Sequence, residues 1–141
     1  MEKLKVIAAK VRKNGKPLDQ DPLFAARMAR VEIDLENMKT TNLRVLSATA
    51  HGAVPGAESS MLKIRGTELR QEMLSLIRRA MGPYAAPYIE AAQYEGYTGE
   101  PLGPEAAATA AASYFNYRKL SIFGGSNEIQ KNIISKMILG L

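Results

Sequence analysis

The sequence contains no cysteine. Disulfides, thiolate metal sites and a cysteine nucleophile are therefore excluded, and a cytoplasmic location is expected. Histidine occurs once, at His51, and neither a second histidine nor a carboxylate cluster stands at metal-ligand spacing, so no metal site is expected. Glu32, Asp34 and Glu36 read as a solvated face, because the Glu-x-x-His pattern of a di-metal bundle is missing. His51 precedes Gly52 at a helix end, where it reads as a C-terminal capping charge rather than a catalytic group. No apolar run approaches the about 20 residues of a membrane span. No secretory signal opens the chain, since Met1-Glu2-Lys3-Leu4-Lys5 leads into a charged helical pattern. Alternation of Val, Ile and Thr nowhere persists, so no strand is expected.

What is present is enough for one domain. The 141 residues are 46% hydrophobic and 23% charged, an ordinary balance for a globular chain with a real core. Lys and Arg number 19 against 14 Asp and Glu, a formal charge of +5. The densest basic runs are Lys10-Val11-Arg12-Lys13 and Arg78-Arg79. Scattered cations of this kind read as solvated helix faces, so no nucleic-acid partner is expected.

Helical spacing runs through most of the chain. Leu4, Ile7, Ala8 and Val11 predict a first helix over residues 1–13. It has no N-cap residue, which is the pattern of a helix entered part-way, and Asn14-Gly15-Lys16-Pro17 ends it. Asp21 can cap a second helix with Pro22 at its first position. Phe24, Met28, Val31, Leu35, Met38, Leu43 and Leu46 then step by three and four or so to about Ala50. At 1.5 Å per residue that helix is about 45 Å long, a length suited to a bundle. A third helix runs from near Glu58 or Ser59 to Met81, stopped by Gly82-Pro83. Residues 82–103 hold three prolines, four glycines and four tyrosines, and predict a long excursion with one short helical turn near 85–92. Pro104-Glu105 opens a fourth helix through an alanine run. Ser126 caps a fifth helix that closes at Gly140. The expected fold class is all-α, an antiparallel four-helix bundle with a partial extra helix at its start, in a single domain over residues 1–141.

One segment carries chemistry. Gly124 and Gly125 sit directly before the Ser126-capped helix. Glycine permits positive φ and close backbone approach, and a helix start offers free N–H groups and partial positive charge. The stretch is a candidate seat for an anionic or polar cofactor group, although Gly-Gly-Ser before a helix is more often a tight turn with its cap.

Ile122-Phe123-Gly124-Gly125-Ser126-Asn127-Glu128-Ile129-Gln130-Lys131, followed by Ile138-Leu139-Gly140-Leu141, resembles the signature near the end of acyl-CoA dehydrogenases. The order and length of the helices resemble that family's C-terminal bundle more loosely over the whole chain. The resemblance implies α,β-dehydrogenation of an acyl-CoA thioester with FAD as hydride acceptor and an electron-transfer flavoprotein, or another acceptor, to reoxidise it. It implies flavin contacts at Gly124, Gly125, Ser126 and Glu128, with Ser126 at the position that bonds the cofactor phosphates. Glu128 is the weaker match, because an ionised carboxylate cannot donate. Many members place their catalytic base where this chain has Gly124, so no catalytic residue is expected here. Other members carry the base on the first bundle helix, which would put it before Met1. The family's amino-terminal helical and middle β domains are expected to be absent, as are its Arg-x-x-Phe-Gly and Gly-Gly-Asn-Gly contacts, whose places are taken by Val11-Arg12-Lys13-Asn14-Gly15 and Met81-Gly82-Pro83-Tyr84. Homo-oligomerisation is expected. The competing expectation is a free-standing helical module whose activity is oligomerisation alone.

Overall fold

The computed structural model describes residues 1–100 and 102–141. Pro101, one of the prolines of the irregular stretch, lies outside the described residues.

Helix α1 spans Glu2–Lys10 and buries Leu4, Ile7 and Ala8. It stops three residues earlier than the apolar spacing predicts, because Val11 turns extended. Arg12–Lys13 (β1) and Lys16–Pro17 (β2) then pair antiparallel, Arg12 opposite Pro17 and Lys13 opposite Lys16. This corrects the expectation of no strand. The ladder is two residues long, too short to show alternation, and it is set by Asn14 and Gly15 at φ 53° and 77°, the two left-handed positions a tight hairpin needs. The turn Leu18–Gln20 follows, with Leu18 buried against the side of α1.

Helix α2 covers Pro22–Ala50. Its start is built as the sequence requires: Asp21 Oδ1 accepts from the Phe24 amide at 3.0 Å, and Asp21 Oδ2 meets Lys13 Nζ at 2.6 Å. Its end is closed by Gly52 at φ 87°, and His51 Nδ1 lies 2.7 Å from the Ser47 carbonyl. With that nitrogen protonated, His51 satisfies one of the carbonyls a helix end leaves open. Helix α3 spans Glu58–Met81, with Glu58 in its first turn and Arg78 and Arg79 in its last, an order that suits the helix dipole.

After α3 the chain makes two short 3₁₀ turns, Gly82–Ala85 and Glu90–Gln93, where the sequence suggested one. Helix α4, Ala107–Asn116, packs on both turns. It begins after Pro104-Glu105 rather than on them, and Ala107 and Ala110 are its buried positions. Their methyl groups are what allow the close approach. A 3₁₀ segment, Tyr117–Ser121, leads to the glycine turn and to α5, Asn127–Leu139. The class is all-α: α2 to α5 are the four helices expected, and α1 is the additional short one.

The chain divides into two compact units. The first comprises residues 1–31 and 71–118. Leu4 and Leu76 are its fully buried large side chains, joined by Phe24, Met81 and Ala85. Arg27 Nη2 meets Glu72 Oε1 at 2.5 Å, and the Arg78 and Arg118 guanidinium carbons lie 4.8 and 4.3 Å from the Tyr114 ring centre. The second unit comprises residues 32–70 and 119–141. Ala57, Ile64 and Leu69 are buried in it, Asp34 of α2 pairs with Arg65 of α3 at 3.3 Å, and a Cβ on Gly66 would stand 3.2 Å from Met38 Cε.

The apolar stripes are not covered evenly. Phe24 and Val31 of α2 are buried, whereas Leu43 and Leu46 of the same stripe are exposed. Helix α5 has no buried residue, and Ile129, Met137, Ile138 and Leu139 are all exposed.

The Lys13 ammonium and then the Phe24 amide hold the Asp21 carboxyl below its ordinary 3.8. A depressed acid stabilises the fold above its unfolded pKa and loses that contribution as pH falls through the folded value. Asp21→Ala is expected to lower the unfolding temperature at pH 7, with the gap from the parent chain narrowing below about pH 4. Circular-dichroism melts from pH 7 to pH 2.5 check this, and a gap unchanged over that range would count against it.

Candidate functional site

The glycine turn is built from one backbone requirement. Gly124 and Gly125 both have left-handed φ, 68° and 82°, and this reverses the chain between Ser121 and the start of α5. Ser126 then adopts an extended conformation and its hydroxyl oxygen accepts from the Ile129 amide at 3.3 Å. Gln130 returns to the turn: its amide donates to the Ser126 carbonyl at 2.9 Å, and its Nε2 donates to the Gly124 carbonyl at 3.5 Å.

The two glycines differ in their surroundings. Space beside Gly124 is open, with nothing within 4 Å of where a Cβ would stand. Beside Gly125 a Cβ would lie 2.6 Å from Gln130 Nε2. Both glycines are exposed, but the Cβ side of Gly125 is taken by the end of the Gln130 side chain, whereas Gly124 is open there and faces outward with Ile122 and Phe123, which are also exposed.

The sequence offers Asn127 beside Ser126 as a side-chain donor of the turn and does not single out Lys63, yet the two together tie the turn to the rest of its unit. Asn127 Oδ1 accepts from Lys63 Nζ at 3.0 Å and from Thr67 Oγ1 at 3.3 Å. The one Thr67 proton is shared with the Ile64 carbonyl, its nearer acceptor at 2.7 Å. Sequence offered little warning, because Lys63 and Asn127 are 64 positions apart.

Glu128 is charged. Its own backbone amide and then the Ser126 hydroxyl hold its carboxyl below the ordinary 4.5, and Lys131 and Lys63 add smaller attractions that oppose desolvation. A carboxylate in the first turn of a helix is favoured by the dipole. It is an acceptor, and it spends part of the positive end that an external anion would use. The arrangement can therefore offer an incoming group the Asn127 amide and the exposed backbone of Gly124, and the Ser126 hydroxyl once it turns from Glu128, with Lys63 and Lys131 nearby in charge.

The four candidate residues, Gly124, Gly125, Ser126 and Glu128, are thus brought together in one turn. The Arg12 place lies elsewhere in the chain, in the β1–β2 hairpin, where Arg12 Nη1 donates to the Gly15 carbonyl at 3.2 Å. Tyr84, Tyr88, Tyr94 and Tyr97 are exposed and do not form part of a core. No group of three or more His, Cys, Asp or Glu side chains is placed to hold a metal ion among the described residues, and no described helix is long and apolar enough to cross a membrane.

Comparison with known proteins decides the family. The model of the acyl-CoA dehydrogenase C-terminal domain matches residues 1–139. The chain belongs to that family. A chain in the crystal structure of the ChsE4-ChsE5 complex from Mycobacterium tuberculosis is similar to it, with a TM-score of 0.70 and 26% identity over 99% of this chain. The match covers 33% of that neighbour, so this acyl-CoA dehydrogenase domain spans about a third of its length. No curated protein matches it.

Gly124→Ala is expected to cost about 1 kcal/mol, the ordinary price of a left-handed side chain. Gly125→Ala is expected to cost more, because its methyl also displaces Gln130. Urea unfolding of the two variants checks the order. Asn127→Ala, which leaves Lys63 without its acceptor while Thr67 keeps the Ile64 carbonyl, is expected to lose about 1 kcal/mol and to speed amide exchange across residues 127–139 above all. Equal protection of α5 in parent and variant would show that the asparagine does not hold the helix.

Proposed function

We propose that the chain is the C-terminal helical domain of an FAD-dependent acyl-CoA dehydrogenase, that it supplies part of the flavin seat through the Gly124-Gly125-Ser126 turn, and that it takes part in subunit assembly. The family match over residues 1–139 carries the reading. The turn fits a phosphate-bearing cofactor in its outward glycine backbone, its capped helix start and the two lysines near its first turn.

FAD, when bound, supplies the hydride acceptor for oxidation of the Cα–Cβ bond of an acyl-CoA thioester. This chain's part is to bind and orient. The Gly124 backbone and the Asn127 amide would hold the cofactor's phosphates, and the Ser126 hydroxyl would turn from Glu128 to donate to one of them. Glu128 remains ionised and sets a limit on how much negative charge the turn can take. No carboxylate stands at Gly124, so removal of the α-proton falls to a base on another part of the enzyme. An electron-transfer flavoprotein or another acceptor completes the cycle.

A second reading rests on α5, which buries no residue. Exposed apolar area of that extent favours association, and a free-standing module that only oligomerises would show it too.

The mass of the native gene product separates the two. Immunoprecipitation and intact-mass spectrometry are expected to give a value several-fold above 15.4 kDa, as a complete flavoenzyme requires. A native mass equal to this chain would place the module ahead. The chain by itself is expected to be an oligomer without dehydrogenase turnover, and dye reduction with acyl-CoA by the chain alone would overturn that. In the flavoenzyme, Ser126→Ala is expected to weaken FAD retention on dialysis and Glu128→Gln to strengthen it, since the second removes a negative charge beside the phosphates.

A further inference from the structure

The first unit contains a cleft of about 730 Å³ that shares no residue with the glycine turn. A volume of this size is in the range of small-molecule sites. Its floor is apolar, from Val6, Ile7 and Val11 of the α1 segment and Met81 at the end of α3. Tyr94 and Tyr97 form a second wall, 67% and 38% exposed. Rings so open to water gain from any apolar body laid against them.

Charge gives the cleft a direction. Lys3 and Lys10 both line it, and at seven residues apart they stand on one face of α1 about 10 Å from each other. Val6 lies between them on that face. Lys13 and Lys39 are each engaged by a carboxylate and Lys63 by Asn127, whereas neither Lys3 nor Lys10 has an ion pair among the described residues. Glu105, just before α4, also lines the cleft, and its charge disfavours an anionic head beside it.

We propose that this cleft binds an amphiphile with one apolar chain and a single anionic head, the chain lying on Val6, Ile7, Met81 and the tyrosine rings and the head held by Lys3 or Lys10. The charge pattern selects the head, and the apolar floor selects the body. Binding here needs no flavin, so the test stands apart from that of the dehydrogenase reading.

The test is titration calorimetry of the 141-residue chain with decanoate, below its micellar range, and with decanol. Saturable binding of decanoate is expected, with decanol about tenfold weaker for want of the charge-assisted contact. Of Lys3→Glu and Lys10→Glu, the one that removes the head's partner is expected to weaken decanoate about tenfold or more. Lys16→Glu, the same charge change on the β1–β2 hairpin outside the cleft, is expected to leave it within about twofold. Lys10 sits in the last turn of α1, where its reversal also disturbs the helix dipole. Val6→Trp therefore gives an independent arm: at a half-exposed position it fills the cleft without altering charge, and it is expected to abolish binding while the chain melts as before. No saturable decanoate binding, equal affinity for decanol, a loss with Lys16→Glu as large as with either cleft lysine, or undiminished binding to Val6→Trp would each overturn the proposal.

Discussion

One asparagine ties the start of helix α5 to helix α3. None of the thirteen residues of α5 is fully buried, and at its first turn Asn127 Oδ1 accepts from Lys63 and shares the Thr67 proton with the Ile64 carbonyl. The glycine turn inherits that placement, because Ser126, Gln130 and the Gly124 carbonyl are bonded to one another and to the helix start. Polar contacts of this kind contribute about 1 kcal/mol each. A helix held so has little margin, and its exposed Ile129, Met137, Ile138 and Leu139 give any covering surface a large apolar gain.

The same economy shapes the chemistry of the turn. A helix N-terminus attracts negative charge, and here Glu128 already supplies one. Two left-handed glycines keep the backbone open in front of it, while Lys63 and Lys131 keep the local balance positive. The turn is therefore a seat whose preference for phosphate is moderated from within. That is a different design from one in which the turn also carries the catalytic carboxylate, since the open space beside Gly124 holds no side chain at all.

Most of the elements are legible in the sequence. Asp21 and Pro22 announce α2, and the Asp21–Phe24 bond realises that cap. Ser126 announces α5, and Gly140 at φ 70° closes it. These signals are local: a cap, a breaker or a glycine acts within one turn of helix. The early stop of α1 was hidden because Val11 continues the apolar spacing, while the hairpin at Asn14-Gly15 bends the chain away. The two-turn form of residues 82–103 was hidden because it is settled by packing against α4 rather than by its own periodicity.

By itself, then, the sequence determined the helix count, the caps, the pair of glycines before α5 and the family they belong to, because each depends on residues close together in the chain. Tertiary structure decided what periodicity leaves open. It covered Phe24 and Val31 but left Leu43 and Leu46 of the same stripe exposed, and it brought Lys63 across to Asn127. It also gathered Lys3, Lys10, Met81, Tyr94 and Tyr97 around one cleft. An amphipathic pattern states that a face is apolar. Which part of that face meets a partner is fixed by the elements that fold against it, and those lie far away in sequence.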